Sequence, residues 1–144
     1  MTTWIDDIAQ HLEDSTTSIG IFSPTSTETR TIYCNNLPGS TASLIVLYPY
    51  AGIAPEWMMD QQNIRKPRLN VLVRSTAADG GHQKSIDIRT RLDHVTNSHL
   101  TTSTAYSRHF VRIEALNEPE YLGRDEHGRG QFVTNYQVQY INTT

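Results

Sequence analysis

The chain has 144 residues, of which 37% are hydrophobic and 19% charged, with a formal net charge of −3 and a sequence pI near 6.0. That length suits one domain over residues 1–144, able to bury about two-thirds of its unfolded surface, and the apolar content is too high for a chain disordered throughout. The acidic balance argues against a protein that gains affinity by neutralising phosphates, which calls for a basic stripe.

Eighteen Thr and eleven Ser fill the place of missing apolar and charged residues, and Thr suits the half-buried surface of a sheet. Cys34 is the single cysteine, so an intrachain disulfide and a cysteine-based zinc site are both excluded. The segment Met1 to Leu12 carries Asp6 and Asp7, no Lys or Arg, and spaced apolar residues, unlike a signal peptide. No run approaches the roughly 20 apolar residues of a membrane-crossing helix. A soluble, unexported chain without a membrane partner is expected, and the Asn142-Thr143-Thr144 sequon is read as chance.

In chain order, Trp4, Ile5, Ile8, Ala9 and Leu12 recur at helical spacing behind Thr3 and Asp6, which predicts an amphipathic helix over about 3–14 with a capping signal. Ile19 to Phe22 and Thr31 to Tyr33 read as short strand pieces around a loop from Pro24 to Arg30. After the break at Leu37-Pro38-Gly39, the run from Leu44 to Tyr48 predicts a buried strand ending at Pro49. Tyr50 to Lys66 has no usable period and holds Trp57, Met58, Met59 and Ile64, as expected of a folded-back loop or contact surface. Beyond Pro67, alternating Leu69, Val71 and Val73 define a strand closed by Arg74.

Gly80-Gly81 reads as a gap, followed by a helix over about 82–97 with Ile88, Leu92 and Val95 on one stripe. A strand from about Tyr106 to Leu116 should place Val111, Ile113 and Ala115 on one face and Tyr106, Arg108, Phe110 and Arg112 on the other. In the last strand, Phe132 to Ile141, Phe132, Tyr136, Val138 and Tyr140 alternate with Gln131, Asn135, Gln137 and Gln139. This order predicts an α+β fold, a largely antiparallel β-sheet with two main helices packed on one face.

The side chains able to do chemistry form no catalytic constellation. The six histidines include no HExxH pair, and Asp125-Glu126-His127 cannot all face one ion from a regular strand. A solvated hairpin tip, with Gly128 supplying freedom in φ, accounts for that cluster. Gly80 to Ser85 lacks the glycines of a phosphate-binding loop, since Gln83 precedes Lys84 and Ala78 stands five residues before it. There is no GxSxG elbow, and no His lies near Cys34 in sequence. No catalytic, cofactor-binding or metal residue is assigned, and no cofactor is implied. Arg65, Lys66, Arg68 and Arg74 form a basic cluster, read as a solvated strand edge or a surface for an acidic neighbour.

The last third runs Asn117-Glu118-Pro119, Gly123-Arg124-Asp125-Glu126-His127-Gly128-Arg129, then Phe132-Val133-Thr134-Asn135-Tyr136. This order of a strand, a Pro, a G-R-D-x-x-G-R turn, and a strand carrying aromatic-x-x-Asn-aromatic resembles the minor capsid and tail-terminator (tail completion) proteins of long-tailed bacteriophages. The amino-terminal helix, Leu37-Pro38 before an apolar strand, and the strand from Pro67 to Arg74 keep the same order, so the resemblance spans most of the chain. Tyr50 to Lys66 has no counterpart in it.

The resemblance implies a tail-terminator-like α+β subunit of a hexameric ring on the tail tube, a structural virion protein assembled in the host cytoplasm. Its partners would be sister copies, the tail tube protein and the head-tail connector or stopper, with DNA only passing through the lumen. Ring closure would use heterologous contacts. Trp57, Met58 and Met59 offer an adaptable apolar patch, Arg65 and Arg68 a basic one, and Pro119 to Gly130 a polar extension. Matching the motif, Arg74, Arg124, Asp125, Arg129 and Asn135 carry over as structural or interface positions. A head-completion or adaptor protein of the same neck is the alternative; a metal-dependent nuclease using Asp125, Glu126 and His127, and a nucleic-acid-binding module using Arg65 to Arg74, are further removed.

Overall fold

Helix α1 (Trp4–Asp14) opens the computed structural model, which describes residues 3–14, 19–22, 24–39, 43–57, 63–76, 78–93, 95–98, 100 and 108–142. Its start is the expected capping box. The Thr3 N–H donates to Asp6 Oδ2 at 2.8 Å, and the Asp6 N–H returns a longer bond to Thr3 Oγ1 at 3.4 Å, satisfying donors that a helix end leaves unpaired. Ile5, Ile8, Ala9 and Leu12 form its buried stripe.

Strands β1 (Ile32–Cys34), β2 (Leu44–Trp57) and β3 (Asn63–Ser75) precede helix α2 (Ala78–Leu92). Strands β4 (Thr96–Ser98), β5 (Arg108–Ala115), β6 (Glu120–Arg124) and β7 (Gly130–Asn142) follow it. They make one seven-stranded sheet in the order β1-β2-β3-β7-β5-β4, with β6 also on β7. Every pairing is antiparallel except β1 with β2. Strands β5 and β6 share one edge of β7, taking Tyr136 to Asn142 and Gly130 to Val133 respectively.

Both helices contribute to one hydrophobic core, as the sequence predicts. Ile8, Leu12, Ile88 and Leu92 meet Leu47, Leu69, Val71, Phe110, Ile113, Tyr136 and Val138. Burying each such aliphatic side chain stabilises by about 1.5–3 kcal/mol. Among the described residues the opposite face has a small apolar cluster, Leu44, Val46 and Leu72 with Tyr33 and Tyr48 packed against it. Polar side chains occupy much of the rest of that face.

Several sequence expectations need correction. Ile19 to Phe22 is not a strand: the Ile21 carbonyl accepts from both the Thr31 and Ile32 N–H groups, and the Ile21 N–H donates to Thr31 Oγ1. A side chain there replaces one rung of a ladder. Within the segment Tyr50 to Lys66, Tyr50 to Trp57 and Asn63 to Lys66 are strand and not loop, because β2 runs through Pro49 and Pro55 to Trp57 and β3 begins at Asn63; residues 58–62 lie outside the described residues. Register shifts between Tyr50 and Ile53 and between Ile53 and Glu56 insert bulges that scramble the two-residue period.

Helix α2 begins earlier than expected and takes Gly80 and Gly81 into its first turn. A Cβ built at Gly81 would lie 3.1 Å from Ser75 Cβ and 3.3 Å from Phe132, so Gly81 serves close helix-on-sheet packing. In β5 a register shift between Phe110 and Arg112 lets Phe110 and Ile113 both reach the core, against the simple alternation. Strand β3 is interior, between β2 and β7, so its basic residues do not lie on a solvated sheet edge.

Candidate assembly surfaces

The hairpin joining β6 to β7 turns at Asp125 to Gly128. The Gly128 N–H donates to the Asp125 carbonyl at 3.0 Å, and Gly128 has φ +75°, a region that favours glycine. Asp125 is not a solvated tip charge, as the sequence reading had it. Its Oδ1 accepts from the His127 and Arg129 N–H groups at 3.0 and 2.9 Å, and its Oδ2 accepts from Arg129 Nε at 2.7 Å. Burial pushes the Asp125 carboxyl up, but these donors and the Arg129 charge outweigh it and hold the group below its usual value. Glu126 and His127 are the exposed polar side chains of the tip.

Arg129 continues the chain of contacts, because its Nη1 donates to the Gly39 carbonyl at 3.0 Å. Beside it, Arg74 Nη2 donates to the Pro38 carbonyl at 2.6 Å. Burial, with the nearby Arg129 charge, lowers the Arg74 pKa. Three of the positions carried over from the motif, Arg74, Asp125 and Arg129, therefore come together as a clamp that ties the β6–β7 hairpin and the end of β3 to the loop at residues 37–39. Arg124 is not part of it. Its side chain is exposed and, among the described residues, makes a long contact, 3.5 Å, to the Gly128 carbonyl.

Asn135 belongs to a second polar row. The Asn70 amide donates to Asn135 Oδ1 at 3.0 Å, and the Asn135 backbone N–H donates to Asn117 Oδ1 at 2.8 Å. Asn117 thus fills the break between β5 and β6, where a side-chain oxygen stands in for a strand carbonyl. One register step away, Arg68 Nε donates to Gln137 Oε1 at 3.3 Å, and Gln137 Nε2 donates to the Lys66 and Pro67 carbonyls.

The β2–β3 hairpin is an arm whose β2 side is exposed from Pro49 to Glu56. Ile53 is 53% exposed. Lys66 pairs with Glu56 at 2.6 Å, while Arg65 stands exposed on the neighbouring strand. The backbone of Trp57 pairs with Asn63; the Trp57 side chain, Met58 and Met59 lie outside the described residues. At the base of the arm is a groove of about 370 Å³ lined by Trp4, Tyr50, Ile53, Pro55, Arg65 and Tyr140 among others. The Trp4 and Tyr140 rings stack with centroids 6.4 Å apart.

Across the sheet, β6 presents Tyr121 and Leu122, 49% and 53% exposed. The stretch from Pro119 to Gly130 is therefore an apolar edge bounded by charge, and not only a polar extension. Sequence reasoning missed Ile53, Tyr121 and Leu122. The pair Tyr121-Leu122 between Pro119 and Gly123 was the available signal, hidden by its shortness.

Among the described residues no group of three or more His, Cys, Asp and Glu converges on a point. Burial pushes the Cys34 thiol up to about 12, which suppresses the reactive thiolate. No helix among the described residues is long and apolar enough to cross a membrane.

No curated protein matches the chain by sequence. A solved chain from "Virion of native gene transfer agent (GTA) particle" shares its fold, with a TM-score of 0.59 at 11% identity over 94% of this chain and 92% of that one. The family model described as "Bacteriophage tail terminator protein" matches residues 10–142. With the match running from within α1 to the end of β7, the chain belongs to the bacteriophage tail terminator family, and is a structural protein of the virion.

Proposed function

We propose that the protein, acting as one unit over residues 1–144, closes a hexameric ring on the head-proximal end of the tail tube. There it ends tube polymerisation and offers its other face to the head connector. The observation that carries this reading is the family match across nearly the whole chain. Two exposed sheet edges on opposite sides of one sheet support it, because a ring needs unlike surfaces to meet head to tail.

The clamp of Arg74, Asp125 and Arg129 keeps the hairpin edge in a fixed place relative to β3, and a preformed edge loses less entropy on association. Its Asp125 carboxylate is engaged by Arg129, which favours a positioning role over metal-dependent hydrolysis. With a formal net charge of −3, copies around a lumen would let DNA pass without adhering. Assembly would take place in the host cytoplasm beside the tail tube protein and the connector. Native mass spectrometry with electron microscopy of the purified chain tests the ring: a closed hexamer is expected, and a strict monomer at every concentration, in the presence of tubes as well, refutes it.

A further inference from the structure

We propose that the aromatic groove at the base of the β2–β3 arm is the half of the ring contact that receives the β6 edge of the next copy. The inference rests on the ring reading and deepens it by naming the two surfaces.

Four observations point to this pairing. First, β2 beyond Tyr48 and β6 lie on opposite sides of the same sheet, the placement a repeating head-to-tail contact requires. Second, both are apolar where they are most exposed: Ile53 and Tyr50 on the arm, Tyr121 and Leu122 on the edge. Scattered exposed side chains are ordinary, but here each set is grouped on one element.

Third, the charges are opposite. Arg65 stands exposed in the groove, where Lys66 is already paired with Glu56, whereas Glu120 and Glu126 outnumber Arg124 along the β6 hairpin, Glu118 being paired with Arg89. Opposed potentials of this kind set partner choice and register. Fourth, the arm is built against backbone pairing with another strand. Pro49 and Pro55 lack donors, and two bulges interrupt the register of β2, devices that blunt a sheet edge. The arm is thus suited to side-chain contacts, and its groove is open to hold them.

A second copy of this chain fits these features. Charge reversal tests the pairing. Arg65 and Glu120 are exposed and outside the core, so Arg65→Glu and Glu120→Arg should both fold, as circular dichroism will verify. Each alone is expected to raise the concentration for half-assembly by about tenfold or more. Mixing the two variants pairs reversed groove with reversed edge at one junction and native with native at the next, so rings of alternating subunits should return. Assembly should also weaken with salt, since the Debye length falls from about 10 Å at 0.1 M to about 3 Å at 1 M.

If the wild-type chain forms rings and both reversals form them undiminished, this pairing is overturned and the ring reading stands. Should the reversals form rings yet fail to cap tubes, the groove belongs to the tube protein, and the pairing is again overturned. If the wild-type chain forms no ring at all, the ring reading falls and takes the pairing with it.

Discussion

Gly52→Ala is the sharpest small perturbation of the arm. A Cβ at that position would sit 2.3 Å from the Lys66 carbonyl oxygen and 2.7 Å from Pro67 Cα. Reaching even 3.0 Å, below which real Cβ atoms essentially never approach, requires a movement of at least 0.7 Å. The obstructing atoms are backbone, and β3 cannot retreat freely because Gln137 Nε2 holds the Lys66 and Pro67 carbonyls from the other side at 3.1 and 3.0 Å. The arm strand must therefore lift.

Overpacking of this kind costs about 1–3 kcal/mol. The loss seen in global unfolding is capped by the free energy at which the arm opens on its own. With a urea dependence of about 2 kcal/mol/M, the midpoint should fall by up to roughly 1.5 M. Hydrogen exchange resolves where the loss occurs: amides of the arm beyond Tyr50 should lose protection, while those of Val71 and Val138 keep theirs. Gly39→Ala is the control, since none of the described residues lies within 4 Å of its built Cβ. An unchanged midpoint together with full protection of the arm in Gly52→Ala would refute the steric argument.

Three further outcomes are expected. Tyr136 is fully buried and its hydroxyl has no hydrogen-bond partner among the described residues, so Tyr136→Phe should leave stability unchanged or raise it by up to about 2 kcal/mol in urea titration; a loss of that size would disclose a missed partner. Asn117→Ala orphans the Asn135 N–H and should cost about 1–3 kcal/mol, whereas Asn117→Asp keeps the acceptor and should recover part of it; equal losses in both would count against the stand-in role. Asp125 has a folded pKa below its ordinary value, so its stabilisation is complete above the unfolded value of about 3.9 and lost as the pH falls through the folded value. Melting curves of wild type and Asp125→Asn should accordingly differ at pH 7 and converge in acid; a constant gap would remove the linkage.

Legibility in the sequence followed regularity. The helical stripe of α1, the alternation of Leu69, Val71 and Val73, and the aromatic alternation of β7 all have an unbroken period, and each sits in the core where the period placed it. The arm, β5 and the start of α2 were misread for one reason: local irregularities carry no periodic signal. Two bulges hide β2 beyond Tyr50, a third turns Phe110 inward, and a pair of glycines, a usual break, lies within a helix that packs closely on β3 and β7.

Among the site residues, the grouping of Arg74 with Asp125 and Arg129 could not be read from spacing, since it depends on the sheet bringing residue 74 beside 131 and on the 37–39 loop folding over both. Tyr121 and Leu122 escaped because five residues of mixed character do not announce a strand, and because their significance lies in an exposure that only the finished sheet defines.

The central claim is best tested on tubes. Tail tube protein should be polymerised with and without equimolar chain and the length distribution measured by electron microscopy. The account expects growth to halt, with extra ring density at a single end of each tube. Tubes that reach the same lengths with bare ends would contradict it.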